Sequence, residues 1–120
     1  MKVVKPSEVE KEKAGGALFT GEVSRQVVFQ PGDSQSFNFG IVNFEAHSRN
    51  KMHRHTSDQL LIVTEGTGTV ATEQEERIVT EGDIILIPAG ENHWHGAPGD
   101  TPMSHITVQA KGSTTTQVEP

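Results

Sequence analysis

The chain has 120 residues, with five Phe, one Trp, no Tyr and no Cys. That length fits one domain whose core is built from Val, Ile and Leu, and the absent cysteines exclude disulfides and thiolate metal ligands. Lys and Arg total 10 against 16 for Asp and Glu, a net charge of −6, which speaks against a phosphate-tracking surface and a nucleic-acid partner.

Residues 1–16 form a charged N-terminal arm, "MKVVKPSEVEKEKAGG", with no apolar stretch of the kind a secretory signal needs. A cytoplasmic location is the expectation. Ser7 followed by Glu10 matches a capping box over one helical turn. From Leu18 onward the pattern is β. The segments "EVSRQVVF", "SFNFGIVNFEA", "QLLIVTEGTGTVAT", "ERIVT", "DIILIP", "HWHGA" and "MSHITVQA" are short and rich in Val, Ile, Phe and Thr. Turn-forming stretches such as "QPGDSQ", "EGD", "PAGEN" and "APGDTP" separate them. Short strands without an amphipathic helix predict a sandwich or barrel over residues 17–111. Residues 112–120, "GSTTTQVEP" from Gly112, lose apolar periodicity and are expected to fray or lie across a partner. The apolar run "IILIPA" is too short to span a bilayer, so no membrane partner is expected. A core of this size makes a homodimer the simplest assembly.

The chemistry lies in two stretches, "MHRHTSDQLLIVTEG" and "ENHWHGAPGD". Side chains of equal parity share a face of a strand, so His53 and His55 point one way, about 6.7 Å apart along the chain. Two imidazoles so placed can lean on one metal ion. Gln59 reaches the same side if an irregularity at "TSD" keeps the register. His93 and His95 form a second same-face pair. On strand "MSHITVQA", His105, Thr107 and Gln109 face together, away from Ile106 and Val108. Trp94 reads as core or interface packing.

The spacing H-x-H-x3-Q-x6-G (His53, His55, Gln59, Gly66) resembles the first cupin motif, and G-x5-P-x-G-x2-H (Gly82, Pro88, Gly90, His93) resembles the second. Both occur in order. "QLLIVTEGTG", "GENHWHGA" and "MSHITVQA" are similar to small single-domain cupins associated with carboxymuconolactone decarboxylases, a group that includes manganese-dependent hydroxynitrile lyases. The resemblance implies an all-β, double-stranded β-helix (cupin jelly roll) barrel. It also implies one divalent transition metal per chain held by His53, His55, Gln59 and His93. Manganese is favoured by the resemblance, and iron, nickel or zinc are compatible with the donors.

His95 and His105 become the proton-transfer candidates, and Gly40, Val42 and Gln109 the substrate-facing positions. The neutral glutamine, where most cupins carry glutamate, leaves the ion's double charge uncompensated by protein and strengthens it as a Lewis acid. The sequence also departs at His47, where the pattern has glycine and a reshaped turn is expected, and at Ala97, where it has asparagine. The implied activity is lyase-type cleavage of a small hydroxynitrile-like substrate. A metal-dependent dioxygenase, another cupin enzyme, or a non-catalytic metal-dependent ligand-binding module are the alternatives.

Overall fold

A computed structural model describes all 120 residues. Twelve strands follow one 3₁₀ turn at Pro6–Glu8. They are β1 (Glu12–Lys13), β2 (Phe19–Thr20), β3 (Val23–Gln26), β4 (Phe37–Phe44), β5 (Ser48–Asn50) and β6 (His53–His55). They continue as β7 (Gln59–Thr72), β8 (Glu76–Thr80), β9 (Ile84–Ile87), β10 (His93–Ala97), β11 (Met103–Ala110) and β12 (Thr115–Gln117). Every pairing is antiparallel.

The long strand β7 organises the molecule because it belongs to two sheets. Its first half, Gln59–Ile62, lies between β11 and β9, in a sheet that continues through β4, β3 and β1. Its second half pairs with β10 and β8, and that sheet continues through β5 to β2. The two halves meet at an irregularity. Ser104 faces Glu65 but His105 faces Val63, so Thr64 is an unpaired extra residue that bends the strand. Gly66 follows with φ 76°, where a Cβ would also run into the Pro102 carbonyl. Folding one sheet over the other produces the expected double-stranded β-helix.

Alternation then fills the barrel. Leu61 and Val63 from β7 meet Phe44, Met103, Val23, Val70 and Ile87 in one apolar cluster. The rest of the interior is polar: Asn50, His53, His55, Gln59, His93, His95 and His105 are all buried. The two regions meet at Phe44, whose ring centroid lies 5.9 Å from that of His95 and 5.6 Å from that of His105.

Both termini lie on the chain's own barrel. Ser7 makes no cap; the turn at Pro6–Glu8 has no side-chain capping bond. The arm is held instead by Gln26, whose Nε2 donates to the carbonyls of Pro6 and Val9 at 2.8 and 3.0 Å. Burial of Ala14 in the core anchors it further. The tail neither frays nor waits for a partner: β12 pairs with β6, and Glu119 accepts bonds from Arg49 and the Met52 amide at 2.8 and 2.9 Å. His47 itself adopts φ 65°, the left-handed conformation that glycine would take without strain.

Candidate metal centre

Three elements deliver the polar cluster. β6 carries His53 and His55, both pointing inward, while Arg54 between them is exposed. β10 runs antiparallel beside it, with His93 directly opposite His53. Gln59 does not continue the β6 strand; residues 56–58 turn the chain, and the glutamine enters as the first residue of β7. The ligand atoms His53, His55 and His93 can offer lie within 4.8 Å of one another.

Hydrogen bonds set the tautomers. His53 Nδ1 lies 2.6 Å from the Lys51 carbonyl and His93 Nδ1 lies 2.9 Å from the Glu91 carbonyl, so both nitrogens donate. Each Nε2 is left as a lone pair turned toward the cluster. His55 Nδ1 is 2.8 Å from the Thr115 hydroxyl on β12, and its Nε2 is buried with no partner. Burial, assisted by their mutual proximity, lowers all three imidazoles to about 4, so the rings are neutral at pH 7. Gln59 donates its Nε2 to Thr107 Oγ1 at 2.9 Å, which turns Oε1 toward His93 Nε2 at 3.0 Å. A neutral His93 ring has one proton for two acceptor oxygens, the Glu91 carbonyl and Gln59 Oε1, so with Nδ1 donating, Nε2 and Oε1 oppose each other as lone pairs unless a cation sits against both. The donor set and the orphaned His55 Nε2 therefore fit a divalent metal, and the neutral nitrogen and oxygen donors suit a first-row ion.

A second histidine pair lies behind the first. The ring of His95 stacks on that of His93, with centroids 5.7 Å apart and planes 15° apart. His105 Nδ1 lies 3.3 Å from the Ile106 carbonyl, which makes it the donor and leaves Nε2 to accept from His95 Nδ1 at 3.0 Å. Burial pushes His105 down to about 4, and burial together with the surrounding imidazoles holds His95 well below its usual range. Asn50 fixes His95 from the other side: its Oδ1 accepts the His95 amide at 2.8 Å, and its Nδ2 lies 3.3 Å from the ring Nε2.

These groups open into a cavity of about 560 Å³. Gly40 and Val42 line it from β4, opposite Thr107 and His105 of β11. Gln109 lines it too, and its Nε2 is buried without a partner. The structure thus brings together His53, His55, Gln59, His95, His105, Gly40, Val42 and Gln109 at one cavity, with His93 fully buried among them. Trp94 faces outward from the barrel, where the Arg49 guanidinium covers its ring at 4.6 Å, so it takes no part in the site. Asn50, Thr107 and Thr115 escape a reading by motif. Asn50 sits only three residues before His53, but its bond to His95 joins strands 45 residues apart, and Thr115 meets His55 across 60.

The comparisons agree with this geometry. Residues 40–109 match the model of the cupin domain. An (R)-mandelonitrile lyase of Granulicella tundricola is 38% identical over 96 residues, covering 78% of this chain and 72% of that protein. A gentisate 1,2-dioxygenase of a Ralstonia species is 37% identical over 57 residues, covering 47% of this chain and 16% of that enzyme. Among solved structures, a cupin-like protein of Thermotoga maritima superposes with a TM-score of 0.85 at 28% identity, covering 93% of this chain and 88% of the other. With its two motifs, its barrel and its match over residues 40–109, the chain belongs to the cupin family.

Proposed function

We propose that this cupin is a metal-dependent lyase that cleaves a small hydroxynitrile-like substrate. The observation that carries the reading is the opposition of Gln59 Oε1 and His93 Nε2 at 3.0 Å beside the unpartnered His55 Nε2, at the wall of a ligand-sized cavity. Two histidines, His53 and His55, join them as ligands. A divalent ion held there, manganese first and iron, nickel or zinc compatible, supplies Lewis acidity toward a substrate oxygen. The 38% identity to a mandelonitrile lyase supports the lyase class.

The chain's own residues supply proton transfer and positioning. His95, neutral at pH 7 and bonded to His105 Nε2 at 3.0 Å, takes the substrate's hydroxyl proton and shares it across that bond. The hydroxyl oxygen forms a carbonyl, the carbon–carbon bond breaks, and the nitrile leaves as cyanide. The shared proton then returns to the leaving group. Asn50 positions His95 through its backbone amide and its ring Nε2, and Gln109 offers an unpaired amide to the substrate. Gly40 and Val42 leave room on the β4 side.

Release of benzaldehyde from mandelonitrile by manganese-loaded protein, with chiral chromatography of the remaining cyanohydrin, tests the reading. Stoichiometric metal with no release above the protein-free rate would sink it. Oxygen uptake with gentisate would then favour the dioxygenase class, to which the identity with the Ralstonia enzyme points.

The homodimer belongs to the same proposal. β9 pairs only with β7 and leaves its other edge free, with Ile84 and Leu86 exposed at 69% and 65%. Light scattering on the parent and a Leu86→Glu variant tests it; a monomeric parent would end it. No helix is long and apolar enough to cross a membrane.

A further inference from the structure

The cavity's charge is unlike that of the chain as a whole. Acidic residues outnumber basic ones by 16 to 10, yet no carboxylate lines the cavity, and its single permanently charged side chain is Arg25. The sheet register explains how it comes to be there. Arg25 of β3 pairs with Val42, and Val42 with His105, so the three occupy one row across the inner face of the sheet. Two strand spacings, about 9.6 Å, separate the backbones of Arg25 and His105. Arg25 forms no ion pair; the salt bridges are Lys2–Asp33, His47–Asp100 and Arg49–Glu119. Glu12, its neighbour across the strand pair, neither bridges to it nor lines the cavity. An exposed, unpaired guanidinium on a cavity with no other permanently charged side chain is a receptor for an anion.

We propose that Arg25 is a specificity-determining residue and that the substrate carries a carboxylate remote from its reacting hydroxyl. A carboxylate fits better than a phosphate. Arg25 brings a single positive charge, which matches a singly charged carboxylate, and its guanidinium fork meets both carboxylate oxygens. The row geometry sets the length. With its hydroxyl at the histidines and its anion at Arg25, the substrate spans about one ring or a short chain. The substrate class this adds rests on the metal-site reading above, but Arg25 can be tested apart from it.

Calorimetric titration with 4-(hydroxymethyl)benzoate and its uncharged twin, 4-(hydroxymethyl)benzamide, makes the test. Parent, Arg25→Gln and Arg25→Lys proteins are compared, each with and without manganese. The acid is expected to bind the parent about tenfold more tightly than the amide, with and without metal. Arg25→Gln, an exposed substitution that leaves the core intact, should lose that tenfold for the acid and nothing for the amide. Arg25→Lys should recover part of it. Equal affinity of parent and Arg25→Gln for the acid would overturn the proposal, as would undetectable binding of the acid to the parent. Failure of the metal-site reading registers separately, as a parent that retains no manganese while still preferring the acid through Arg25.

Discussion

The side-chain oxygen of Gln59 lies 3.0 Å from Nε2 of His93, and with the ring's proton on Nδ1, facing the Glu91 carbonyl, neither atom has a hydrogen to give the other. Thr107 fixes the first by accepting from the same amide, and the Glu91 carbonyl fixes the second by accepting from the far side of the ring. A glutamine so held would serve the proposed ion as a neutral ligand. Gln59→Glu should therefore hold or strengthen metal binding, because an anionic donor attracts the ion, while lowering its Lewis acidity. Elemental analysis should show full metal and the lyase assay a reduced kcat. Unchanged activity at full loading would make the neutral ligand incidental.

Thr115 tests whether the tail takes part in ion binding. Its hydroxyl is the Nδ1 partner of His55, and partners of this kind typically contribute about 10–100-fold to metal affinity. Thr115→Val keeps the shape and the strand-forming tendency of β12. It should weaken metal affinity by about tenfold in a competition titration with a chelator. An unchanged affinity would show that the ring is oriented without the tail.

His105 should be dispensable for the metal and required for turnover. His105→Ala is expected to keep full metal content and lose about 10²–10⁴-fold in rate, the usual effect of removing a general acid–base group. His95→Ala is the companion variant, since its ring stacks on His93 and its loss can disturb that ligand. If both variants turn over at the parent rate, the proton relay is wrong.

Acid should destabilise the metal-free protein well before carboxylates titrate. His53, His55, His93 and His105 are lowered by burial to about 4 when folded, against 6.5 when unfolded. Above pH 6.5 both states are neutral and these groups have no effect. As pH falls from 6.5 toward 4 the unfolded chain takes up protons that the folded chain refuses, so stability drops across that window. Urea midpoints of metal-free protein should fall steadily between pH 7 and pH 4, and a His105→Leu variant should fall less steeply. A flat profile would contradict neutral buried imidazoles.

His47 stores strain away from the site. Its φ of 65° costs a side chain about 1–2 kcal/mol, part of which glycine gives back through its floppier unfolded state. His47→Gly should be stabilising by up to about 1 kcal/mol in chemical denaturation, and His47→Val destabilising by more, because a β-branched residue is least tolerated there.

Local pattern was enough for most strands. β7, β8, β10 and β11 coincide with "QLLIVTEGTGTVAT", "ERIVT", "HWHGA" and "MSHITVQA", because short β-prone segments set off by polar and glycine-bearing turns are a property of adjacent residues. Parity placed His53 with His55 and His93 with His95, while the grouping of His53, His55, Gln59 and His93 was legible only through the resemblance to the two cupin motifs, because Gln59 enters from a separate strand. The short strands β1, β2, β5 and β12 were not. Each has only two or three residues, too few to show a period, and each exists because a partner strand accepts its hydrogen bonds. The same holds for the roles of Asn50, Thr115 and Arg25. A hydrogen bond across 45 or 60 residues, or a row of side chains spanning β3, β4 and β11, has no local signature. Such contacts depend on how β7 bends between two sheets, and that bend is set only when the whole barrel closes.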